Sequence, residues 1–436
     1  MNKQEIIKEA LNIGLDEIEI YETSSSRLSM SLFESKIDSY TIANNQDYLI
    51  KALINHKMVE CHIASLDNLD INLVLNNLKE NALSIESEDI SSLYEGEKEY
   101  PEVKYKVNTF KNKTYEEKVE ILNKLETLCL NLDSRIKQVM SIDYEEVLNT
   151  TSITNSKGLN INKSLDYALV SIQLLASEND DNKSAYKVDF IVGDDFDLES
   201  FAKKAVLEAV SKLNSKSINS GEYQVIMKNE AMRSLLGALC GLFVGENVYK
   251  GISLLKDKLN QKIFDEKINI VDNSLLDYSF NSSPFDDEGV SAKKTVLVED
   301  GILKAYLHNL KSAHMMNMTP TGNGYGASTS PTNLAILNGD KSFDELLKIM
   351  NDGIIIEDIS GLHAGLNSFT TQFSLLASGF EVKDGKIVRP INLITVAGVF
   401  LDMMKDIKAI GNDLEYGING IGSPSILFNK LNISGE

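Results

Sequence analysis

The chain is poor in the residues that recognise nucleic acid and anionic membranes. Its 436 residues include four arginines (Arg27, Arg135, Arg233 and Arg389), and the formal net charge is −21. Nucleic acid and anionic lipid both attract clustered lysine and arginine. No basic stripe is present, so neither is expected as a main partner. The excess of acids is typical of a soluble protein whose negatively charged molecules repel one another.

Cysteines and long apolar runs are also scarce. Cys61, Cys129 and Cys240 lie far apart in the sequence and form no CxxC pair, which favours a reducing cytoplasm over a disulfide framework. The opening MNKQEIIKEALNIG indicates an amphipathic helix without the apolar core of a signal peptide. The apolar run Leu235–Val244 is far shorter than the roughly 20 residues that span a bilayer, so no membrane anchor is expected.

The few histidines argue against a metal site made by this chain alone. None of the five pairs with another at the three-, four- or five-residue spacing that a zinc-binding helix uses. No GxSxG nucleophile motif occurs either. We therefore assign no catalytic residue and no metal ligand to the chain. The histidines are His56, His62, His308, His314 and His363.

Glycine and proline divide the sequence into two parts. Residues 1–218 hold four glycines and one proline, whereas residues 219–436 hold 22 glycines and five prolines. A chain of this length is also too long for one ordinary core. We predict an α+β protein: an N-terminal domain of helices and antiparallel sheet over 1–218, followed over 219–436 by a mainly β domain containing a buried glycine-rich helix.

Periodicity predicts the individual elements. In the first part, DEIEIYE and RLSMSLF each alternate as half-buried strands, and NSKG predicts a hairpin loop. In the second part, Asp300-Gly301 and Asp384-Gly385 predict tight hairpins. Helices are predicted over 67–83, 115–131, 197–213, 230–247, 306–317 and 342–351.

The predicted helix over 230–247 contains the stretch RSLLGALCGLFVG. Gly237, Gly241 and Gly245 follow each other at four-residue intervals and would share one face of a helix. Each glycine costs up to ~1 kcal/mol of helix stability relative to alanine. We therefore interpret them as a close-packing face, either inside the domain or at a subunit interface.

Two loops carry the polar residues that chemistry could use. Asp286, Asp287 and Glu288 form an acidic triplet that could bind an amine or a divalent ion, or could cap backbone amides in a turn.

The second loop, TPTGNGYGASTSPTNL, carries Gly322, Gly324 and Gly326. It lacks the following Lys-Ser/Thr and helix of a phosphate loop. A mobile loop beside a peptide cleft and a plain irregular loop both remain open.

The motifs along the whole chain together resemble those of the TldD/PmbA family. TldD-type members carry HExxxH within an LLHEAxGHG segment, and Leu235–Leu242 aligns with it. The two histidine positions are Gly237 and Leu242, and the glutamate position is Ala238. The family's other motifs appear as SPFDDEG at 283–289, SPTNL (with Asn333) at 330–334, GND at 411–413 and GSPS at 422–425.

Some positions depart from the family pattern. The family's TGDFS is Thr370–Ser374 here, TTQFS, and its AGN is Ala397-Gly398-Val399. The cysteine that follows GND in TldD-type chains, which resembles a third zinc ligand, is missing between Asp413 and Pro424. The changes in TGDFS and AGN argue against a catalytic role for that loop, and the PTNL and PFDxEG motifs resemble the PmbA/TldE branch more than the TldD branch.

The resemblance implies a role beside a zinc peptidase. A PmbA/TldE-like chain would hold no cofactor itself and would pair with a TldD-type HExxxH chain that carries zinc, or with itself. The complex would cleave unfolded or flexible peptides, in proteolysis and peptide maturation. In this chain the acidic triplet, the three loop glycines and Asn333 would line a peptide cleft or support its loops.

Two alternatives stay open. The chain could act alone, as a homodimeric peptide-binding or scaffold protein. It could also be an autonomous enzyme that uses the acidic triplet with a divalent metal.

Overall fold

The computed structural model describes residues 2–67, 69–86, 90–194 and 196–436. The chain is an α+β protein, as the sequence predicts. Among the described residues, no helix combines the length and the apolar character needed to cross a bilayer.

One long antiparallel sheet organises the first part of the chain. Its order is β3-β2-β1-β4-β5-β6, and every neighbouring pair is antiparallel. DEIEIYE and RLSMSLF, predicted as two strands, form one continuous strand, β1, because both pair without a break with the same neighbour. The strands are β1 Glu17–Phe33, β2 Lys36–Ile54, β3 Lys57–Ile63, β4 Ile136–Asn155, β5 Asn160–Glu178 and β6 Asp181–Phe190.

In the described part of the chain, four helices cover this first sheet and bury two apolar clusters. Around β4 and β5, Leu125, Cys129 and Ala202 pack on Ile172, and a separate cluster forms where Leu75 meets the start of β1. Capping boxes fix the starts of the first and third helices. The helices are α1 Lys3–Asn12, α2 Ile71–Leu83, α3 Tyr115–Leu132 and α4 Leu198–Ser211, and a 3₁₀ turn spans Phe110–Asn112.

The second part of the chain contains shorter elements. Its strands are β7 Gly221–Met227, β8 Ile270–Asn273, β9 Lys294–Glu299, β10 Ile302–Leu303, β11 Gly324–Tyr325, β12 Ser328–Thr329, β13 Leu334–Ile336, β14 Gly353–Ser360, β15 Gln372–Lys383, β16 Lys386–Val399, β17 Ile407–Ile410, β18 Glu415–Tyr416, β19 Gly422–Ser423 and β20 Ile426–Ser434. Its helices are α5 Asn229–Ala238, α6 Gly245–Tyr249, α7 Leu310–Met316, α8 Phe343–Met350, α9 Leu362–Gly365 and α10 Phe400–Met403, with a 3₁₀ turn over Cys240–Phe243.

These strands form two larger sheets around one extensive core. The second sheet runs β10-β9-β8-β13-β19-β18. The third runs β16-β15-β14-β7-β20-β17, and an extra pairing of β16 with β20 closes five of its strands into a ring. The segment after β7 is held in the core shared by these sheets, because Leu235, Leu236 and Phe243 are buried there.

The predicted glycine-rich helix over 230–247 is wrong in its extent. Helix α5 ends at Ala238, the chain tightens into the 3₁₀ turn, and α6 begins at Gly245. The N–H of Gly245 donates to the Leu307 carbonyl at 2.8 Å, and Asn247 Nδ2 donates to the Gly241 carbonyl at 2.9 Å. These contacts satisfy backbone groups that a continuous helix would use itself, so the three glycines do not share one helix face.

The helix predicted over 306–317 is also shorter and spans only Leu310–Met316. Asn309 caps its start, and the N–H of Asn309 itself is bound by Ser312 and Thr329.

Both predicted Asp-Gly hairpins occur, with Asp300 and Asp384 at positive φ. The domain division at 218/219 stays a prediction. It falls in the segment between α4 and β7.

Candidate functional site

The acidic triplet lies on a loop whose first member is completely buried. One carboxylate oxygen of Asp286 accepts the N–H groups of Glu288 and Val290, at 3.0 and 2.9 Å, and the other accepts the N–H of Gly324 at 2.8 Å. Burial nevertheless raises the pKa of Asp286 to about 6. Three backbone donors thus hold this side chain as the centre of the loop.

Asp287 joins the loop to the first sheet. Its carboxylate accepts the phenol O–H of Tyr21, on β1, at 2.8 Å and the N–H of Gly326 at 3.0 Å. The ammonium of Lys163, on β5, lies 3.9 Å away. Burial and the charge of Asp287 raise the pKa of Tyr21 far above its usual range, so this phenol stays protonated as a donor.

Glu288 faces the start of helix α7. Its Oε2 accepts the N–H of Leu310 at 2.7 Å. Burial, followed by the negative charge of Asp286, raises the pKa of Glu288 to about 7, against an ordinary value of 4.5. The positive charge of Lys51 opposes that rise. Lys51 is bound to Glu19 at 3.0 Å in an almost fully buried ion pair.

The glycine loop contains a small hairpin that packs against this acidic loop, while the rest of the loop has no regular secondary structure. Strand β11 pairs with β12, and Gly322 and Gly326 sit at φ 74° and 58° in the left-handed region. A Cβ on Gly324 would lie 2.5 Å from Glu288 Oε2, so only glycine permits this approach. The structure therefore brings the two candidate loops together. A peptide-binding role for them stays a proposal.

Asn333 lies in the adjoining polar network rather than on an open surface. Its amide donates to the Asn273 carbonyl at 2.9 Å and to Ser282 Oγ at 3.0 Å, and its carbonyl accepts from Ser279 Oγ at 2.6 Å. This fully buried side chain fixes the segment leading to the acidic loop.

Asp272 is the buried acid of the same network. It accepts the N–H of Thr332 at 2.9 Å and the amide of Asn323 at 2.7 Å. Burial raises its pKa. Nothing in its sequence context singled it out, because an acid within a β-strand pattern is indistinguishable from a surface acid.

The segment that aligns with HExxxH does not fit a zinc ion. Gly237 and Ala238 end α5 and Leu242 is buried in the 3₁₀ turn, and none of the three carries a ligand or base atom. Gly237 and Gly241 are half-buried and Ala238 is exposed, so part of this segment faces outward. Among the described residues, no group of three His, Cys, Asp or Glu side chains is placed to hold a metal ion.

Several residues that position the acidic loop could not be found from the sequence. Lys163 donates to the Phe285 carbonyl and to Ser283 Oγ, at 2.8 and 2.9 Å, and Tyr100 donates to the Gly289 carbonyl at 2.7 Å. Lys163 and Tyr100, with Phe285, also line a pocket of about 430 Å³. Their only signal is proximity in the fold, since Phe285 lies more than a hundred residues further along the chain.

Comparison with known proteins assigns the class. The family model described as the PmbA/TldA metallopeptidase central domain matches residues 108–213, and the corresponding C-terminal domain matches residues 220–435. The fold and both matches define a metallopeptidase-family protein. A metalloprotease PmbA homologue from Buchnera aphidicola (subsp. Baizongia pistaciae) is 31% identical over 321 residues, covering 73% of this chain and 70% of that protein. The chain belongs to the PmbA/TldD family.

Solved structures agree over the full length. A Thermotoga maritima protein described as a candidate modulator of a DNA gyrase is 32% identical, covers 99% of both chains and superposes with a TM-score of 0.90. TldE from Thermococcus kodakarensis has a TM-score of 0.89 with the same 99% coverage, and at 21% identity it shows the shared fold alone.

Proposed function

We propose that this chain is a PmbA/TldE-like, non-catalytic subunit of a zinc metallopeptidase complex. Its partner would be a TldD-type chain that carries HExxxH and the zinc, and the complex would cleave unfolded or flexible peptides in proteolysis and peptide maturation. One observation carries the proposal: Gly237, Ala238 and Leu242 occupy the motif positions and supply no nitrogen or oxygen ligand from their side chains. A metal-bound water and its base must then come from another chain.

The contacts of the acidic triplet favour this role over an autonomous metal-dependent enzyme. Asp286 uses both carboxylate oxygens on backbone N–H groups, and Asp287 uses its two oxygens on Tyr21 and Gly326. A hard cation such as Mg²⁺ or Ca²⁺ needs several free oxygen ligands. Here those oxygens already hold the loop, which supports a structural role.

The open part of the motif segment supports a role in forming a shared cavity. Ala238 is exposed where a TldD-type chain would carry its glutamate. We propose that this surface contributes wall to the cavity and supplies no reacting group. A cytosolic location fits the three cysteines, all of which are unpaired.

Purification from the source cells tests the proposal. The tagged chain, at natural expression level, is examined by native mass spectrometry with metal analysis. We expect a complex with a second chain of similar size, zinc accompanying that second chain, and hydrolysis of a flexible peptide by the complex only. The conservative Ala238→Ser variant should leave hydrolysis unchanged, whereas Glu→Gln in the partner's motif should abolish it.

Other outcomes would contradict the proposal. Stoichiometric zinc on this chain alone would show that the ligand assignment is wrong. A homodimer without any second chain would instead favour the stand-alone peptide-binding or scaffold protein.

A further inference from the structure

A second pocket, of about 310 Å³, lies where the end of β6 meets the loop after β8 and the turn between β18 and β19. Its volume is near the lower limit of ligand pockets, about 300 Å³, which suits one amino-acid side chain rather than a large cofactor. Its lining includes Asp189, Phe190, Tyr278, Phe280, Tyr416 and Ile418.

Asp189, an exposed residue, shares the lining of the pocket with a second acid, Asp277, and with the cation Lys106. The Oδ1 of Asp189 accepts only the N–H of the adjacent Phe190, at 2.8 Å, and among the described residues it forms no ion pair within 4.0 Å. Although Asp189 is exposed, partial desolvation of its carboxylate by nearby groups raises its pKa, the more distant positive charges of Lys204 and Lys106 oppose the rise, and Glu415 adds to it. A cation placed beside the carboxylate would pair with it and favour its charged form.

Four aromatic residues also line the pocket: Phe190, Tyr278, Phe280 and Tyr416. The ring centroids of Phe190 and Phe280 lie 4.5 Å apart, and Tyr278 is a residue with 58% of its surface exposed. Tyr278 has φ 64°, an uncommon conformation for a bulky residue, and its N–H is held by the Lys104 carbonyl at 2.8 Å. Aromatic faces attract cations and pack well on aliphatic stems.

One hairpin links the pocket to the segment that aligns with HExxxH. The turn carrying Tyr416 and Ile418 also touches α5: a Cβ on Gly417 would lie 3.3 Å from Arg233 Nε. Further along the same hairpin, Ile421 lies 3.4 Å from the Cβ position of Gly237. This hairpin therefore lines the pocket and also contacts α5, the helix that contains Gly237.

We propose that this pocket binds a guanidinium or ammonium group on an aliphatic stem, as in an arginine or lysine side chain of an extended peptide. Asp189 would pair with the cation, and the rings of Tyr278 and Phe190 would enclose the stem. The assignment of the ligand to a peptide rests on the proposed function, whereas the chemistry of the pocket does not.

Direct binding to the full chain tests the pocket. The probes are a fluorescein-labelled Gly/Ser peptide with one central arginine and the same peptide with citrulline, which keeps the shape and removes the charge. We expect the arginine peptide to bind roughly fivefold to tenfold more tightly in fluorescence anisotropy at fixed salt. Asp189→Asn should remove this preference.

Asp180→Asn is the matched control, because it removes the same charge from the exposed turn at the other end of the first sheet. It should keep the arginine preference, which separates the pocket from the general attraction of an acidic chain for cations. Equal loss in both variants, equal binding of the two peptides, or no binding of either would overturn the proposal.

Tyr278→Asn separates binding from folding. Asparagine tolerates the left-handed conformation better than tyrosine does, so thermal stability should be unchanged or higher while the arginine preference falls. Unchanged preference in this variant would remove the aromatic wall from the proposal. Agmatine that competes fully and binds as tightly as the peptide would identify a small amine as the ligand and overturn the peptide source.

The proposed function and the pocket can fail separately. Absence of a TldD-type partner with an intact arginine preference would contradict only the subunit role. A zinc-bearing complex whose subunit shows no such preference would contradict only the pocket.

Discussion

At the scale of single residues, the acidic triplet shows how far sequence reasoning reaches. The sequence identifies Asp286, Asp287 and Glu288 as a dense group ahead of a hairpin. It cannot tell that Asp286 is fully buried or that Tyr21 and Gly326 both bind Asp287, because these contacts join residues far apart in the chain. The raised pKa values of Asp286 and Glu288 follow from burial, so the sequence does not show them either.

The first prediction concerns Glu288 and pH. Its pKa is about 7 in the folded protein against 4.5 ordinarily, so the unfolded chain ionises first as pH rises. The folded state therefore loses stability between about pH 4.5 and 7. Glu288→Gln removes this loss and keeps an acceptor for the Leu310 N–H. We expect it to raise the free energy of unfolding at pH 8 by up to about 3 kcal/mol and to have little effect at pH 4.5.

Urea unfolding followed by circular dichroism at several pH values measures this difference, since the chain has no tryptophan for fluorescence. Glu266→Gln, at a side chain that is 74% exposed, is the control and should change stability by less than about 0.5 kcal/mol at either pH. A destabilised Glu288→Gln protein at pH 8 would show that the charged carboxylate is needed.

At the scale of elements, the segment from Gly237 to Gly245 shows which part of a helix the local sequence predicts and which part depends on contacts with distant residues. The four-residue spacing correctly indicates a helix around Gly237, but that helix ends before Gly241. Its end is set by contacts with Leu307 and Asn247, which no local pattern encodes. The long hairpins of the first sheet, in contrast, depend on neighbouring residues, and the NSKG loop was predictable for that reason.

The second prediction compares two glycines of this segment. A Cβ on Gly245 would lie 2.3 Å from the buried His308 ring and 3.0 Å from the Leu307 carbonyl, so Gly245→Ala should cost about 1–3 kcal/mol. On Gly237 the Cβ would make only ordinary contact with Ile421, at 3.4 Å, inside a helix. Gly237→Ala should therefore be neutral or stabilising by up to about 1 kcal/mol.

Melting temperatures of the two alanine variants, measured side by side, test whether the two glycines differ in this way. Similar losses in both would mean that Gly237 is also a close-packing position, as the sequence interpretation had it.

At the scale of the whole molecule, the loop after β8 connects the first sheet to the rest of the protein. Phe280 packs with Phe190 and Tyr167, at ring-centroid distances of 4.5 and 5.8 Å, inside the apolar cluster of the first sheet. Tyr105 donates to the Ser282 carbonyl at 2.8 Å. The composition of the sequence indicates two parts. It does not show that Phe280, in the second part, completes the apolar cluster of the first.

The third prediction concerns a variant that removes the Phe280 ring from the cluster of the first sheet. Phe280→Ala should lower the free energy of unfolding by about 3–5 kcal/mol, because it leaves a cavity among packed rings. It should also uncouple the two parts, so that urea unfolding monitored by circular dichroism shows two transitions instead of one. Phe369→Ala, at a ring that is 60% exposed, is the control and should cost far less. A single transition in Phe280→Ala would show that other contacts suffice to couple the two parts.

The position of Phe280 also affects the order of events during protein synthesis. The ribosome finishes the first sheet at Phe190, yet the ring that covers Phe190 and Tyr167 is made ninety residues later. In a nascent chain of intermediate length, the rings of Phe190 and Tyr167 therefore lack the ring that packs on them in the finished protein. The first sheet reaches its final packing only after translation has passed Phe280, which makes its completion a late step rather than an early one.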